Sequence, residues 1–129
     1  MDRNNTYMEE VCQAEILHEH HDNLVDFVKN RMPEDDILCD AAELFKVFGD
    51  TTRTKILSAL FERELSVCCI SEIVSMSPSA VSHQLRILRQ TKIVKSRRQG
   101  KEILYSLDDA HIEKIYRMAI EHLLEERSR

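Results

Sequence analysis

The chain is poor in the two residues that most often interrupt helices. Only two glycines and two prolines occur among 129 residues, and 43% of the residues are hydrophobic. This composition predicts a mostly helical globular protein. At this length we expect one domain with a modest core, for which dimerisation would be a natural supplement.

Long hydrophobic runs are also missing. No stretch approaches the roughly 18 consecutive apolar residues of a membrane span, and the first residues, MDRNNTYMEEV, lack the apolar centre of a secretion signal. We therefore expect a cytosolic protein with no membrane partner. In a reducing cytosol the cysteines favour thiols or metal ligands over disulfides. They are Cys12, Cys39, Cys68 and Cys69. Cys39 alone is interpreted as a small buried apolar residue.

Basic residues are concentrated in one segment of an acidic chain. The net charge is −5, and residues 1–40 carry 3 basic against 11 acidic side chains. Residues 73–101 contain seven basic side chains and no acid. Such an island localises a potential that attracts a polyanion, although a solvated basic face without a partner is the simpler alternative.

Hydrophobic residues recur at helical spacing along most of the chain. Residues 7–30 favour one or two helices, and Pro33 ends that segment. We therefore divide the chain into an N-terminal arm over residues 1–36 and a second region over residues 37–129. In that region the spacing predicts helices over residues 37–48, 51–61, 65–74, 78–90 and 109–126.

The helices predicted over residues 65–74 and 78–90 are short and close together. Ser77 is a favourable N-cap and Pro78 suits the first helical position, so the second helix begins there. Two short helices around a tight turn form a helix-turn-helix. Residues 93–98 and 102–107 then alternate as two strands joined by a glycine-containing turn, which predicts a hairpin, or wing.

The last helix carries an apolar surface wider than one small domain needs. We interpret this surface as a dimer interface. The predicted fold class is therefore mainly α with a β-hairpin wing, a winged helix-turn-helix that forms a homodimer.

Polar side chains of the helix over residues 78–90 suit contact with double-stranded DNA. A helix fits the major groove, where hydroxyl, imidazole and amide groups bond to base edges and arginine reaches guanine or phosphate. Basic residues of the wing would lie along the backbone or the minor groove. The predicted contacts are Ser79, Ser82, His83, Gln84, Arg86, Arg89, Arg97, Arg98 and Lys101. His83 is as well explained by a structural role.

The last helix also carries a pattern of metal ligands, namely Asp109, His111, His122 and Glu125. Eleven residues return the two histidines to nearly the same face but about 16 Å apart, so one helix cannot close a site. Two antiparallel helices would place the first pair of one chain against the second pair of its partner, twice per dimer. Two imidazoles and two carboxylates suit tetrahedral Zn²⁺ and leave no position for catalytic water, so we expect no enzyme. The alternative is four solvated polar residues.

A second, softer metal site would combine Cys12, His18, Cys68 and Cys69. Thiolates and imidazoles suit cadmium, lead or zinc. The site requires the arm to fold back or to reach the partner chain. It supports an alternative function, a thiol-based redox or soft-metal sensor acting through Cys12, Cys68 and Cys69.

Two stretches resemble the ArsR/SmtB family of metal-sensing winged-helix repressors, over about residues 38–126. They are ELFKVFGDTTRTKILSAL and ELSVCCISEIVSMSPSAVSHQLRILRQTKIVKSRRQGKEILYSLDDAHI. The resemblance implies that the terminal-helix residues bind zinc across the dimer, and that the apo dimer holds operator DNA and releases it when metal binds. Co²⁺, Cd²⁺ and Ni²⁺ are the other candidate ions. Ser66 and Cys69 replace the cysteine and aspartate of cadmium-sensing relatives, so the resemblance does not extend to their thiolate site.

Overall fold

The structure, a computed structural model, describes residues 15–128, with side chains described from residue 20 onward. The chain separates into two compact units, residues 1–40 and residues 41–129. No helix in the described range is long and apolar enough to cross a membrane. The elements are α1 (Glu15–Arg31), α2 (Asp35–Phe48), α3 (Thr51–Glu62), β1 (Leu65–Ser66), α4 (Val67–Val74), α5 (Pro78–Gln90), β2 (Val94–Gln99), β3 (Glu102–Leu107) and α6 (Ala110–Arg127).

Side-chain oxygens cap the first turns of α3 and α5. The Asp50 carboxylate accepts the backbone N–H of Arg53 at 3.0 Å at the start of α3. Ser77 does the same for the backbone N–H of Ala80 at 3.2 Å, and Pro78 opens α5. These bonds satisfy N–H groups that have no partner within their own helix. The predicted start of α5 is confirmed.

One predicted helix start is wrong. The helix expected over residues 65–74 begins at Val67, because Leu65 and Ser66 form β1 and pair antiparallel with β3, with Leu65 opposite Tyr105. Ser66 is the N-cap of α4, and its Oγ accepts the backbone N–H of Cys69 at 3.4 Å. An N-cap residue has extended backbone, which is also the conformation that strand pairing requires.

The sheet has three antiparallel strands in the order β1-β3-β2. In the hairpin, Val94 lies opposite Leu107 and Gln99 lies opposite Glu102, so the loop contains only Gly100 and Lys101. Gly100 has a φ of 63°, and a positive φ at the first loop position is what a tight two-residue hairpin loop requires. The wing is therefore present as predicted, one residue tighter at its turn.

The core of residues 41–129 forms where α3, α4 and α5 meet the sheet. Ile56, Leu57 and Ile70 are almost fully buried, as are Ile93 and Val94 just after α5. From α5, the side chains of Val81, Leu85 and Leu88 are all inaccessible to solvent. The predicted fold class, mainly α with a β-hairpin wing, is confirmed.

The terminal helix α6 contributes little of its apolar surface to this core. Ile112 is buried and Tyr116 packs against the core. Farther along, Met118 is 69% exposed, Leu123 52% and Leu124 61%. The single chain therefore leaves exposed much of the apolar surface that was interpreted from the sequence as a dimer interface.

Candidate DNA interface and metal sites

Helix α5 presents one polar face to solvent. Its buried stripe fixes the rotation of the helix, which leaves Ser79, His83, Arg86 and Arg89 exposed and Ser82 half-buried. None of these five side chains has a hydrogen-bond or ion-pair partner within the described part of the chain. A free, polar, convex helix face beside a hairpin has the shape and chemistry for reading base edges in a major groove.

The seven basic side chains of residues 73–101 are all exposed. They follow α5 and the hairpin, and no acidic residue of that segment neutralises them. The charge island predicted from the sequence is thus a surface of the folded protein. It consists of Arg86, Arg89, Lys92, Lys95, Arg97, Arg98 and Lys101.

One of these cations is held by an acid from outside the segment. Arg97 on β2 donates Nε to Oε2 of Glu64 at 2.8 Å and Nη2 to Oε1 of the same carboxylate. The hydrogen bond from Arg97 lowers the pKa of Glu64 below its usual value and raises that of Arg97. Arg98 instead donates to the carbonyl of Gly100 at 3.3 Å within the wing. The wing arginines therefore differ, since contact between Arg97 and a phosphate would compete with Glu64.

Gln84 is also engaged within the protein. Its Oε1 accepts the Nε–H of Arg53, from the first turn of α3, at 3.0 Å. The sequence gives no signal for Arg53 at this surface, because nothing in local spacing connects two residues 31 positions apart. Its place beside α5 makes it a further basic side chain at this surface.

Asp109 has a structural role in addition to its predicted one. Its Oδ1 accepts the backbone N–H groups of Ile112 at 3.0 Å and of His111 at 2.8 Å, which caps α6. Those bonds, that of Ile112 first, lower the pKa of the Asp109 carboxyl. The second oxygen, Oδ2, accepts no hydrogen bond from any described residue, so it is open to a metal ion. His111 Nδ1 lies 3.6 Å from Oδ1, and the imidazole is strongly exposed.

The other two predicted ligands lie near the far end of α6. His122 has its Nε2 3.8 Å from Oε1 of Glu126 rather than beside Glu125, whose side chain is exposed. Over residues 20–128, no three His, Cys, Asp or Glu side chains cluster closely enough to hold a metal. The structure thus brings Asp109 and His111 together in one chain and leaves His122 and Glu125 apart from them, with about 16 Å of helix rise between the two histidines. Their meeting across two chains stays a prediction.

Only part of the predicted thiolate site lies within the described residues. Cys12 and the side chain of His18 lie outside the described residues. Cys68 and Cys69 are exposed thiols in the first turn of α4. Cys39 is exposed as well, so its interpretation as a buried residue is wrong. It lies in the first half of α2, and the α2 residues that reach the core are in the second half, such as Val47.

Sequence comparisons identify known proteins that are similar to this chain. The family described as "Bacterial regulatory protein, arsR family" matches residues 50–96. A "Transcriptional repressor SmtB homolog" from Synechocystis sp. is 46% identical over 84 residues, covering 65% of this chain and 64% of that protein, so the chain spans slightly less than two thirds of it. A "Cadmium resistance transcriptional regulatory protein CadC homolog" from Staphylococcus aureus is 35% identical over 114 residues, covering 88% of this chain and 91% of that protein.

A solved structure supports the architecture. The homodimeric winged helix-turn-helix DNA-binding domain of a Mycobacterium bovis protein is similar with a TM-score of 0.66 over 75% of this chain and 92% of that one. The identity is 21%, so this likeness concerns the fold alone.

Proposed function

Because the chain belongs to the arsR family of bacterial regulatory proteins, we propose that it is a metal-responsive transcriptional repressor. In this proposal the apo homodimer binds operator DNA and dissociates from it on binding zinc or a similar divalent ion. The relatives named a transcriptional repressor and a cadmium resistance regulator support the class of function. The observation that carries the proposal is one chain with both a basic helix-and-wing surface and two incomplete sets of metal ligands on α6.

The DNA half of the proposal depends on α5 and the wing. Ser79, Ser82 and His83 offer hydrogen-bonding groups to base edges, while Arg86 and Arg89 reach guanine edges or phosphates. Arg98 and Lys101 of the wing add backbone contacts. Since every neutralised phosphate releases counterions, binding should weaken steeply as salt rises.

The metal half depends on α6 and a second copy of the chain. Asp109 and His111 would form one half of a site, and His122 and Glu125 of the partner the other half. The donor set fits the ion, because two imidazole nitrogens and two carboxylates complete a tetrahedral shell. Zinc supplies a cross-link between the helices, which would favour one dimer geometry over another. Oδ2 of Asp109 is free to take part while Oδ1 keeps capping the helix.

The test is fluorescence anisotropy of a labelled fragment of the gene's own promoter with metal-free protein, followed by titration with zinc. We expect tight binding without metal and release near two zinc ions per dimer. His122→Ala should bind DNA as the wild type does and fail to release it. Glu121→Ala, which removes the exposed neighbouring side chain on α6, is the matched control and should respond normally. Normal zinc-driven release by His122→Ala would contradict the proposed metal site.

A second candidate function is a thiol-based redox or soft-metal sensor, favoured by the exposure of Cys68 and Cys69 at the start of the helix-turn-helix. Its residues would be Cys12, Cys68 and Cys69, with His18. In that case Cys68→Ser with Cys69→Ser abolishes the response to cadmium or oxidant, and His122→Ala leaves it intact. The same titration with each variant separates the two functions.

A further inference from the structure

The amide of Gln84 is oriented by a single strong constraint. An arginine side chain only donates hydrogen bonds, so the oxygen end of the Gln84 amide must be the end that faces Arg53 Nε, 3.0 Å away. Both residues are half-buried, between α3 and α5. A glutamine reads adenine by accepting from one base atom and donating to another. The bond from Arg53 uses one lone pair of Oε1 and ties the oxygen end of the amide to α3, which disfavours the two-way contact with adenine.

The other member of the pair has unused donors. A guanidinium carries five N–H donors, and Nε supplies only one to Gln84. Within residues 20–128, neither Nη1 nor Nη2 of Arg53 donates a hydrogen bond, and no acid forms an ion pair with Arg53. The nearest carboxylate in sequence, that of Asp50, accepts the backbone N–H of Arg53 instead. The Nη groups therefore form an uncompensated planar fork beside α5.

We propose that Arg53 is a further DNA-backbone contact, and that Gln84 is the positioning residue that holds it rather than a reader of bases. The inference rests on the proposed function. A guanidinium fork matches two phosphate oxygens, and fixing Nε reduces the rotamer freedom that the arginine would otherwise lose on binding. Gln84 is half-buried and follows exposed His83 on α5, so the Arg53–Gln84 pair borders the exposed face of that helix.

This arrangement differs measurably from a purely structural tie between α3 and α5. A phosphate contact contributes about 0.9 to the slope of log affinity against log salt concentration. Between 1 M and 0.1 M salt, a slope of that size corresponds to an increase in affinity of about eightfold for one contact. A structural tie would lower the unfolding temperature and leave the salt slope unchanged.

The experiment measures the DNA affinity of the intact, metal-free protein between about 0.05 and about 0.3 M salt, a range in which binding should stay measurable. Arg53→Gln should reduce the slope by about 0.9 and weaken operator and unrelated duplexes by the same factor, about eightfold at 0.1 M salt. Lys55→Gln removes one exposed positive charge from the same helix and is the matched control, with an unchanged slope. Arg53→Lys should keep the slope and lose part of the affinity, because the charge remains without the fork.

A double-mutant cycle tests the role of Gln84. Gln84→Ala should weaken all duplexes alike, and the double variant with Arg53→Gln should be no weaker than Arg53→Gln alone. Additive losses would show that Gln84 acts independently of Arg53, and a changed preference among operators that differ at one base pair would show that Gln84 reads bases. Either result would overturn the inference. So would an unchanged salt slope in Arg53→Gln. Failure of the wild type to bind any duplex would instead overturn the proposed function.

Discussion

Two single-histidine variants should restore each other's zinc site when they are combined in one dimer. Along α6, eleven residues separate His111 from His122, which corresponds to about 16 Å. Two ligands of one zinc ion lie within about 4 Å of each other, because each zinc–ligand distance is near 2 Å. The 16 Å is the rise between the two backbone positions, and two imidazoles that project sideways from one helix cannot bring their nitrogens from that separation to within about 4 Å. A site between antiparallel helices therefore requires His111 of one chain and His122 of the other.

The number of complete zinc sites in such a dimer follows from its symmetry. A His111→Ala chain paired with a His122→Ala chain contains one site with both imidazoles and one site with neither. We expect the purified heterodimer to bind about one zinc ion tightly, half of the wild-type capacity of about two. Each homodimer contains only sites that lack one imidazole and should bind no zinc with wild-type affinity. Asp109 is left unchanged because its Oδ1 caps α6.

The assay is zinc titration against a competing chelator, with two affinity tags used to isolate the heterodimer. The matched control is a doubly tagged dimer of two His111→Ala chains, which should hold no tight zinc. A heterodimer that binds no better than this control would refute the interchain site. Full binding by either homodimer would refute the assignment of its histidine.

Three further predictions follow from single side chains. Leu85→Ala should lower the free energy of unfolding by about 2–5 kcal/mol, because removing a fully buried side chain leaves a cavity. Ile103 is half-exposed, so Ile103→Ala should cost about 1 kcal/mol or less in the same denaturant titration. Since Arg97 lowers the pKa of Glu64, the stabilising effect of their pair is present above the unfolded-state pKa of Glu64 and is lost as pH falls through its folded-state pKa. An NMR titration of the Glu64 carboxyl should show a midpoint below the usual range that rises in Arg97→Gln, and an unchanged midpoint would contradict the pairing. Asp109→Asn should keep the helix cap, because asparagine is also a favourable N-cap, but it should weaken zinc binding. We expect an unchanged circular dichroism spectrum and a lower zinc affinity. Wild-type zinc affinity in this variant would exclude the carboxylate as a ligand.

The parts of the fold that depend on local interactions were predictable from the sequence. Ser77 and Pro78 determine where α5 begins, and the spacing of Val81, Leu85 and Leu88 determines which face it buries. Both kinds of information lie within one or two helical turns, where capping bonds and helical periodicity operate. The family resemblance is likewise confirmed, since it depends on residue types along a continuous segment.

The parts that depend on distant partners were not predictable. Strand β1 contains only two residues, too few for any periodicity, and its pairing partner β3 begins 36 residues after Ser66. A count of charges treats Arg97 as a free cation, yet Glu64 holds it from 33 positions away. For the metal ligands, spacing on α6 is readable, but whether the two halves meet depends on a second chain.

Two backbone hydrogen bonds connect the start of α6 to the end of α5. The N–H of Ile93 donates to the carbonyl of Leu88 at 2.9 Å, and the N–H of Asp108 donates to the carbonyl of Ile93, also at 2.9 Å. Lys92 adopts a φ of 60°, which reverses the chain so that the first bond can form. Ile93 is inaccessible to solvent, so this connection is held by the core.

The two ends of α6 therefore differ in their relation to the DNA surface. Asp109 directly follows the hydrogen-bonded Asp108, and any restraint on its carboxylate acts one residue from a bond that leads to α5. The end that carries His122 has no hydrogen bond to α5 among the residues that the structure describes. If metal binding alters the DNA affinity as proposed, the change should pass through the Asp109 end of α6. There, His122 and Glu125 of the partner would restrain Asp109 through the shared metal ion. The backbone hydrogen bonds of Ile93 would then transmit the restraint to α5, the helix that would enter the groove.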